Sequence, residues 1–203
     1  MNIHSVIKEA VMPKTEEQCR QIREDMRSKI LKESSLYFAR NGFADTKIGD
    51  LAKHIGIGQG TIYLYFKSKE ELFDEIRKNA NNEAEIKKLN VLAKLPIPAK
   101  NKIEKISEEV VRSLTAGEEY AVKITLYTQL LLESGEGAYS SELYKILAKI
   151  IRQGQKEGSI VKEDPLYLAD LYWGVVYLWA LKSLFIKDPK ALKAETLNRL
   201  LEV

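Results

Sequence analysis

Between residues 46 and 69 the chain gathers side chains suited to reading a polyanion. Gln59 offers an amide that pairs bidentately with an adenine edge, and Thr61 offers a hydroxyl or a methyl to a base. Tyr63 and Tyr65 carry phenol hydroxyls, and Lys47 and Lys69 carry ammonium groups; both kinds suit phosphate oxygens. Gly60 lets a backbone come close to a partner, and Thr46 is a natural N-cap whose helix would point N–H groups at an anion. Lys47 and Lys69 fall in first helical turns, where a cation opposes the macrodipole unless an anion relieves it. These eight residues form one candidate DNA-contacting surface.

A second set lies further along. Tyr120, Thr125, Tyr127, Thr128, Gln129 and Glu133 occupy apolar positions of one helical pattern, and Tyr144, Tyr172, Trp173 and Tyr177 follow. Aromatic walls with a few hydrogen-bonding groups suit a mostly apolar small molecule. Tyr120, Tyr127, Gln129, Tyr144, Tyr172, Trp173 and Tyr177 are the candidate lining. Catalysis is not expected. There is no Ser/His/Asp set and no glycine-rich phosphate loop, and Cys19, His4 and His54 stand apart from any catalytic or metal-ligand spacing. No metal or cofactor is expected.

These residues need helices to position them. Leu, Lys, Glu, Ala and Ile dominate the 203 residues, with five prolines and eleven glycines, a mix that favours helix. Hydrophobic residues at 45% and charged residues at 30% exclude a disordered chain. Ile3, Val6, Ile7, Ala10 and Val11 suggest a short terminal helix before Pro13. Thr15 and Gln18 form a capping box for a helix to Arg40, closed by Asn41-Gly42. Short helices follow at about 47–54, capped by Thr46, and 59–65, with Gly56-Ile57-Gly58 between them. Ser68 caps a long helix towards Leu92, and Pro96-Ile97-Pro98 is a linker. Helices are then expected at about 100–115, 118–133, 140–156, 165–186 and 189–202, and His54 is read as a helix-end residue near the carbonyls.

Charge supports the first site. Residues 14–69 carry eleven Lys/Arg against seven Asp/Glu, a net +4, while residues 70–203 carry twenty against twenty-one. Asp170 and Lys182 limit the uncharged run in the most apolar segment to 171–181, too short to cross about 30 Å of hydrocarbon. No secretory signal pattern opens the chain. A cytoplasmic protein with no membrane partner is expected.

Helix, glycine turn, helix is the helix-turn-helix pattern, whose second helix enters the major groove. The run GFADTKIGDLAKHIGIGQGTIYLYFKSKEEL (42–72) resembles the DNA-binding unit of TetR/AcrR-type transcriptional regulators. Ile30, Leu31 and Phe38 extend the likeness into the first helix. Gly58 departs from a usual serine, Gly49 from a longer residue, and Ser34-Ser35 from an alanine pair. The resemblance implies an all-α fold: an N-terminal three-helix helix-turn-helix unit plus a C-terminal helical ligand-binding and dimerisation bundle. Residues 1–23 would be an extension and the start of the first helix. Residues 24–84 would be the DNA-binding domain, with its motif at about 47–67, and 85–203 the sensing and dimerisation domain. It further implies a homodimeric repressor on a pseudo-palindromic double-stranded operator, released by a small, mostly apolar effector. Residues 165–202 are the expected dimer surface, since 165–186 is apolar nearly all round. The alternative is a helical protein-interaction module that keeps the fold without sequence-specific DNA binding.

Overall fold

The computed structural model describes residues 15–80, 83–133, 141–187 and 189–203. The expected terminal helix before Pro13 lies outside them. The described residues are helical, apart from loops and one isolated antiparallel bridge between Ile160 and Glu202. In chain order the helices are α1 Glu16–Asn41, α2 Ile48–Ile55, α3 Gln59–Tyr65, α4 Lys69–Ala80, α5 Glu83–Lys94, α6 Ala99–Ala116, α7 Glu118–Glu133, α8 Glu142–Glu157, α9 Pro165–Phe185 and α10 Ala194–Arg199. The single helix expected from Ser68 towards Leu92 is described as α4 and α5, on either side of residues 81–82. None of these helices is long and apolar enough to cross a membrane.

The head is built on α1. Its capping box forms as expected: Gln18 N–H donates to Thr15 Oγ1 at 3.2 Å, and Thr15 N–H donates to Gln18 Oε1 at 2.9 Å. The helix buries Ile30, Ser34, Phe38 and Ala39 and stops at Gly42, whose φ of 77° suits glycine. Phe43 then folds back and stacks on Phe73 of α4, centroids 4.2 Å apart, with Phe38 edge-on to both. Arg27 pairs with Glu75 and lies over the ring of buried Phe66, 5.1 Å from its centroid. That contact fixes the end of α3 against α1 and α4.

In the body, α8 packs on α5, α6 and α9, and α7 on α6 and α9. The helical spacing of Leu143, Leu147, Ile150 and Ile151 gives α8 its broad buried face. Gly154 lets it approach the start of α6: a Cβ there would lie 2.4 Å from Ile160 Cδ1 and 3.1 Å from the Ala99 Cβ. Gly154→Ala is expected to lower unfolding free energy by about 1–3 kcal/mol through overpacking. Thermal denaturation checks this. Buried Lys102 is satisfied by Ala93 O and Gln153 Oε1, each at 2.8 Å, which ties the end of α5 to α6 and α8.

The last helix corrects an expectation. A helix over 189–202 would have joined the dimer surface, but α10 is confined to Ala194–Arg199, and Leu192, Leu197 and Leu201 are buried within this chain. Their apolar side is spent on α6, and Val161 N–H donates to Leu201 O at 3.0 Å. The head meets the body along α1 and α7, where Lys32 pairs with Glu119 at 2.7 Å and Arg40 with Glu118 at 3.3 Å. Exposed pairs of this kind add little stability.

Candidate nucleic-acid interface

The turn between α2 and α3 is made by hydrogen bonds as well as by glycine. Gly56 is left-handed (φ 77°, ψ 34°), its N–H donates to Lys53 O at 3.2 Å, and Ile57 N–H donates to Ala52 O at 3.0 Å. Ile48, Leu51, Ala52, Ile55 and Ile62 are buried between the two helices and α1. With one side of α3 anchored by Ile62 and Phe66, the opposite side must face solvent. Gln59, Gly60, Tyr63, Leu64 and Lys67 form that outer face, while Thr61 and Tyr65 lie half-buried on its flanks. Leu64, 83% exposed, and Lys67 were not singled out from the sequence. Leu64 stands four residues after Gly60 on α3, so helical spacing was an available signal for it, whereas Lys67 lies past the end of α3 at Tyr65. An exposed leucine there offers an apolar contact of the kind a thymine methyl accepts.

Thr46, Lys47, Gln59, Tyr63 and Lys69 line one concavity, formed by the first turns of α2 and α4 and the outer face of α3. Lys67 and Ser68 belong to the same wall, as do the carboxylates of Asp50 and Glu70. Asp50 lies 3.5 Å from Lys53. Gly49 lies beside the Gln59 amide, whose Oε1 would be in ordinary contact, at 3.5 Å, with a Cβ at that position. Gly58 precedes α3 without a side-chain cap. Ser68 Oγ accepts from Glu71 N–H at 3.1 Å, and the Glu71 carboxylate reaches back to Lys67 N–H, one residue earlier than a regular capping box.

Two residues of this concavity are placed differently from the sequence reading. Thr46 is buried, and its hydroxyl donates to Gly42 O at 2.6 Å; Lys47, not Thr46, is the N-cap of α2. The Lys69 ammonium donates to Phe43 O at 2.9 Å, Thr46 O at 3.1 Å and Ala44 O at 3.3 Å, and sits 4.3 Å from the Phe43 ring centroid. A lysine has three N–H donors, and here each has a carbonyl. Lys69 therefore holds the α1–α2 loop rather than presenting its charge outward. His54 stands in the last turn of α2, 3.6 Å from Glu33 and against the Tyr37 ring.

In the body, a cavity of about 160 Å³ is lined by residues of α5 to α9, Tyr120 and Trp173 among them. Glu85, Lys88 and Leu89 of α5 and Ile106 and Val110 of α6 complete much of its wall and were not anticipated. Burial, then the charge of Glu85, pushes the Tyr120 phenol up to about 12. Tyr172 is instead core: it is fully buried, and its hydroxyl pairs with Ser107 Oγ at 2.9 Å. Tyr127 pairs with Ser141 Oγ at 2.7 Å; Tyr127, Gln129, Tyr144 and Tyr177 are outside this cavity wall.

Residues 30–76 match the family model described as "Bacterial regulatory proteins, tetR family". The stretch runs from the middle of α1 into α4 and contains the whole outer face of α3. The chain is 28% identical over 193 residues to the uncharacterised HTH-type transcriptional regulator YhgD of Bacillus subtilis, covering 88% of this chain and 94% of that one. It is 32% identical over 77 residues to the HTH-type transcriptional regulator AcrR of Shigella flexneri, a match spanning 36% of that relative's length. Among solved structures, AibR in complex with isovaleryl coenzyme A and operator DNA superposes with a TM-score of 0.60 at 17% identity, over 85% of this chain and 94% of that one. The likeness carries the fold through the body as well as the head. With a glycine-turned helix pair, an open outer face on its second helix and this family match, the chain carries in residues 30–76 the DNA-binding unit of the tetR family of bacterial regulatory proteins.

Proposed function

We propose that the protein acts as a homodimeric repressor in the cytoplasm, with residues 24–84 reading a pseudo-palindromic operator and 85–203 sensing an effector and pairing the two copies. The exposed face of α3 carries this reading: Gln59, Gly60, Tyr63, Leu64 and Lys67 point away from the chain's own core. Gln59 and Leu64 have base-reading chemistry, while Tyr63, Lys47 and Lys67 suit phosphates. Thr46 and Lys69 act behind them by fixing the loop that leads into α2.

The partner copy is supported by a stripe on α9. Tyr167, Leu171, Leu178 and Phe185 are each more than 40% exposed, and Gly174 sits between them with nothing within 4 Å of a would-be Cβ. Spacings of four, three, four and seven residues make a seam for a second helix, and a glycine at its centre permits close approach. Two such seams would set the recognition helices about 34–36 Å apart, or a multiple of that, as successive major grooves require. The effector site is supported by the body cavity, because α5 walls it and the α4–α5 segment leads back to the head. A molecule held there favours one position of α5, and operator affinity falls by population shift.

The test is binding to double-stranded DNA flanking the protein's own gene, across a range of salt. Retention of one fragment with a steep fall in affinity as salt rises is the expected result. Leu171→Glu should give a folded monomer by sedimentation with weakened operator binding. Failure to retain any such fragment, with the wild type dimeric and folded, sinks the repressor reading.

A further inference from the structure

We infer that the body cavity takes a small carboxylate with a benzene-sized apolar body, its anionic end held at the mouth by Lys88. This rests on the reading of the cavity as the effector site and adds the chemical class of the effector. The size follows from the volume: about 160 Å³ is close to the roughly 150 Å³ of a protein cavity known to hold benzene. The floor is apolar, since Ile106, Val110, Ile124 and Leu143 are all buried and line it.

The sign of the charge follows from what the wall leaves unpaired. The charged residues that line the cavity are Glu85, Lys88 and Glu109. Both carboxylates are engaged. Lys123 donates to the two Glu85 oxygens at 2.9 and 3.0 Å, and Glu109 pairs with Arg112 along α6. Partial burial works against the charge of Glu85, but its hydrogen bonds and the charges of Lys123 and Lys88 hold its carboxyl below the usual range. Lys88 thus lends Glu85 its field, yet it makes no hydrogen bond or salt bridge among the described residues. Three cations stand against two carboxylates here, and the one left over is Lys88.

The orientation follows from burial. Lys88 is exposed while the floor is buried, so its ammonium marks the mouth. A carboxylate there keeps part of its water, whereas on the floor it would lose all of it. A cationic ligand would instead meet an unpaired like charge. Tyr120 lines the same wall, and its hydroxyl has no hydrogen-bond partner among the described residues. Burial, then the charge of Glu85, keeps that phenol protonated, a donor that a carboxylate can accept from. No side chain of α5 is fully buried, so a carboxylate on Lys88 ties this helix to a floor built by α6, α7 and α8.

The experiment uses benzoate, benzamide and benzamidinium, near-isosteres that are negative, neutral and positive, on the full-length protein. Calorimetry reads affinity, and the methyl resonances of Ile106 and Ile124 read the place of binding. Benzoate is expected to bind about tenfold tighter than benzamide, the margin a charge-assisted hydrogen bond supplies, and to move both methyl resonances. Benzamidinium should bind most weakly. Lys88 is exposed, so its variants should fold. In Lys88→Met the preference for benzoate over benzamide should fall to about twofold or less. In Lys88→Glu benzamidinium should bind more tightly than benzoate. Equal affinity for benzoate and benzamide, a preference that survives Lys88→Met, or unmoved methyl resonances overturns the inference. If benzoate binds through Lys88 but operator affinity is unchanged, the cavity chemistry stands and the effector reading falls.

Discussion

Replacing Lys69 with methionine is expected to loosen the DNA-reading head by about 1–3 kcal/mol while leaving the salt dependence of operator binding nearly unchanged. The ammonium gathers Phe43 O, Ala44 O and Thr46 O from the loop that joins α1 to α2, and it lies over the Phe43 ring. Methionine keeps the apolar stem and the helical propensity of the first turn but leaves those carbonyls without their charged donor. The loop they belong to delivers Lys47 and the start of α2 to the concavity, so affinity should fall through misplacement rather than through a lost phosphate contact. Lys47→Met and Lys67→Met make the contrast. Both lysines are exposed, so each change should flatten the slope of log affinity against log salt by about one and leave stability within about 0.5 kcal/mol. Thermal denaturation and binding at four salt concentrations separate the outcomes. A flattened slope for Lys69→Met with unchanged stability would return Lys69 to the phosphate-contacting set.

That contrast marks where the sequence stopped being readable. The Thr15/Gln18 capping box, the stop at Gly42 and the turn at Gly56 are local: donor and acceptor lie within a few residues, and their patterns predict them. The outer face of α3 was legible only in part: helical periodicity sets Gly60 and Leu64 opposite Ile62, whereas Gln59 and Tyr63 share i, i+3, i+4, i+7 spacing with Ile62 and Phe66, and only the folded head leaves them exposed. Lys69 was not legible, since its acceptors lie 23 to 26 residues earlier and only the folded head brings them close. Thr46 illustrates the same limit in a smaller way, as a hydroxyl at a helix start can bond forward as a cap or backward to Gly42 O, and only the structure chooses.

The body shows the limit more strongly. Aromatic and polar residues at apolar positions suggested a pocket, but the pattern cannot tell a pocket wall from a satisfied core. Tyr172 finds Ser107, 65 residues away, and leaves the pocket set by that bond. Trp173, its neighbour in sequence, lines the cavity instead. Segment 165–186 read as apolar all round because α9 has two apolar faces. One carries Leu168, Ala169, Tyr172, Val176, Ala180 and Leu184 inward, and the other carries Tyr167, Leu171 and Leu178 outward. Periodicity detects one apolar face against a polar one, and it is silent when both are apolar.

Gly60→Ala is expected to leave the fold as stable or more stable, and to weaken operator binding by about tenfold or more. Gly60 is the second residue of a seven-residue helix, where glycine costs at most the roughly 0.8–1.0 kcal/mol relative to alanine of a helix interior, and that cost needs a reason. The described residues supply none. Gly60 is not among the residues with positive φ, and a Cβ built on it meets nothing within 4 Å. It is fully on the outer face, between Gln59 and Tyr63, so the only body a methyl group there can strike is one that docks against α3. If that body is a DNA groove, the added methyl holds the helix off and lengthens every contact made by Gln59, Tyr63 and Leu64 together. The loss should then fall on all sequences bound through this face. Gln59→Ala should instead relax preference at one base pair, at a cost of about 1–3 kcal/mol. Measuring melting temperature beside affinity for the operator and for a scrambled fragment distinguishes the two variants. An alanine at position 60 that raises the melting temperature and binds the operator as before would mean that nothing approaches α3 closely.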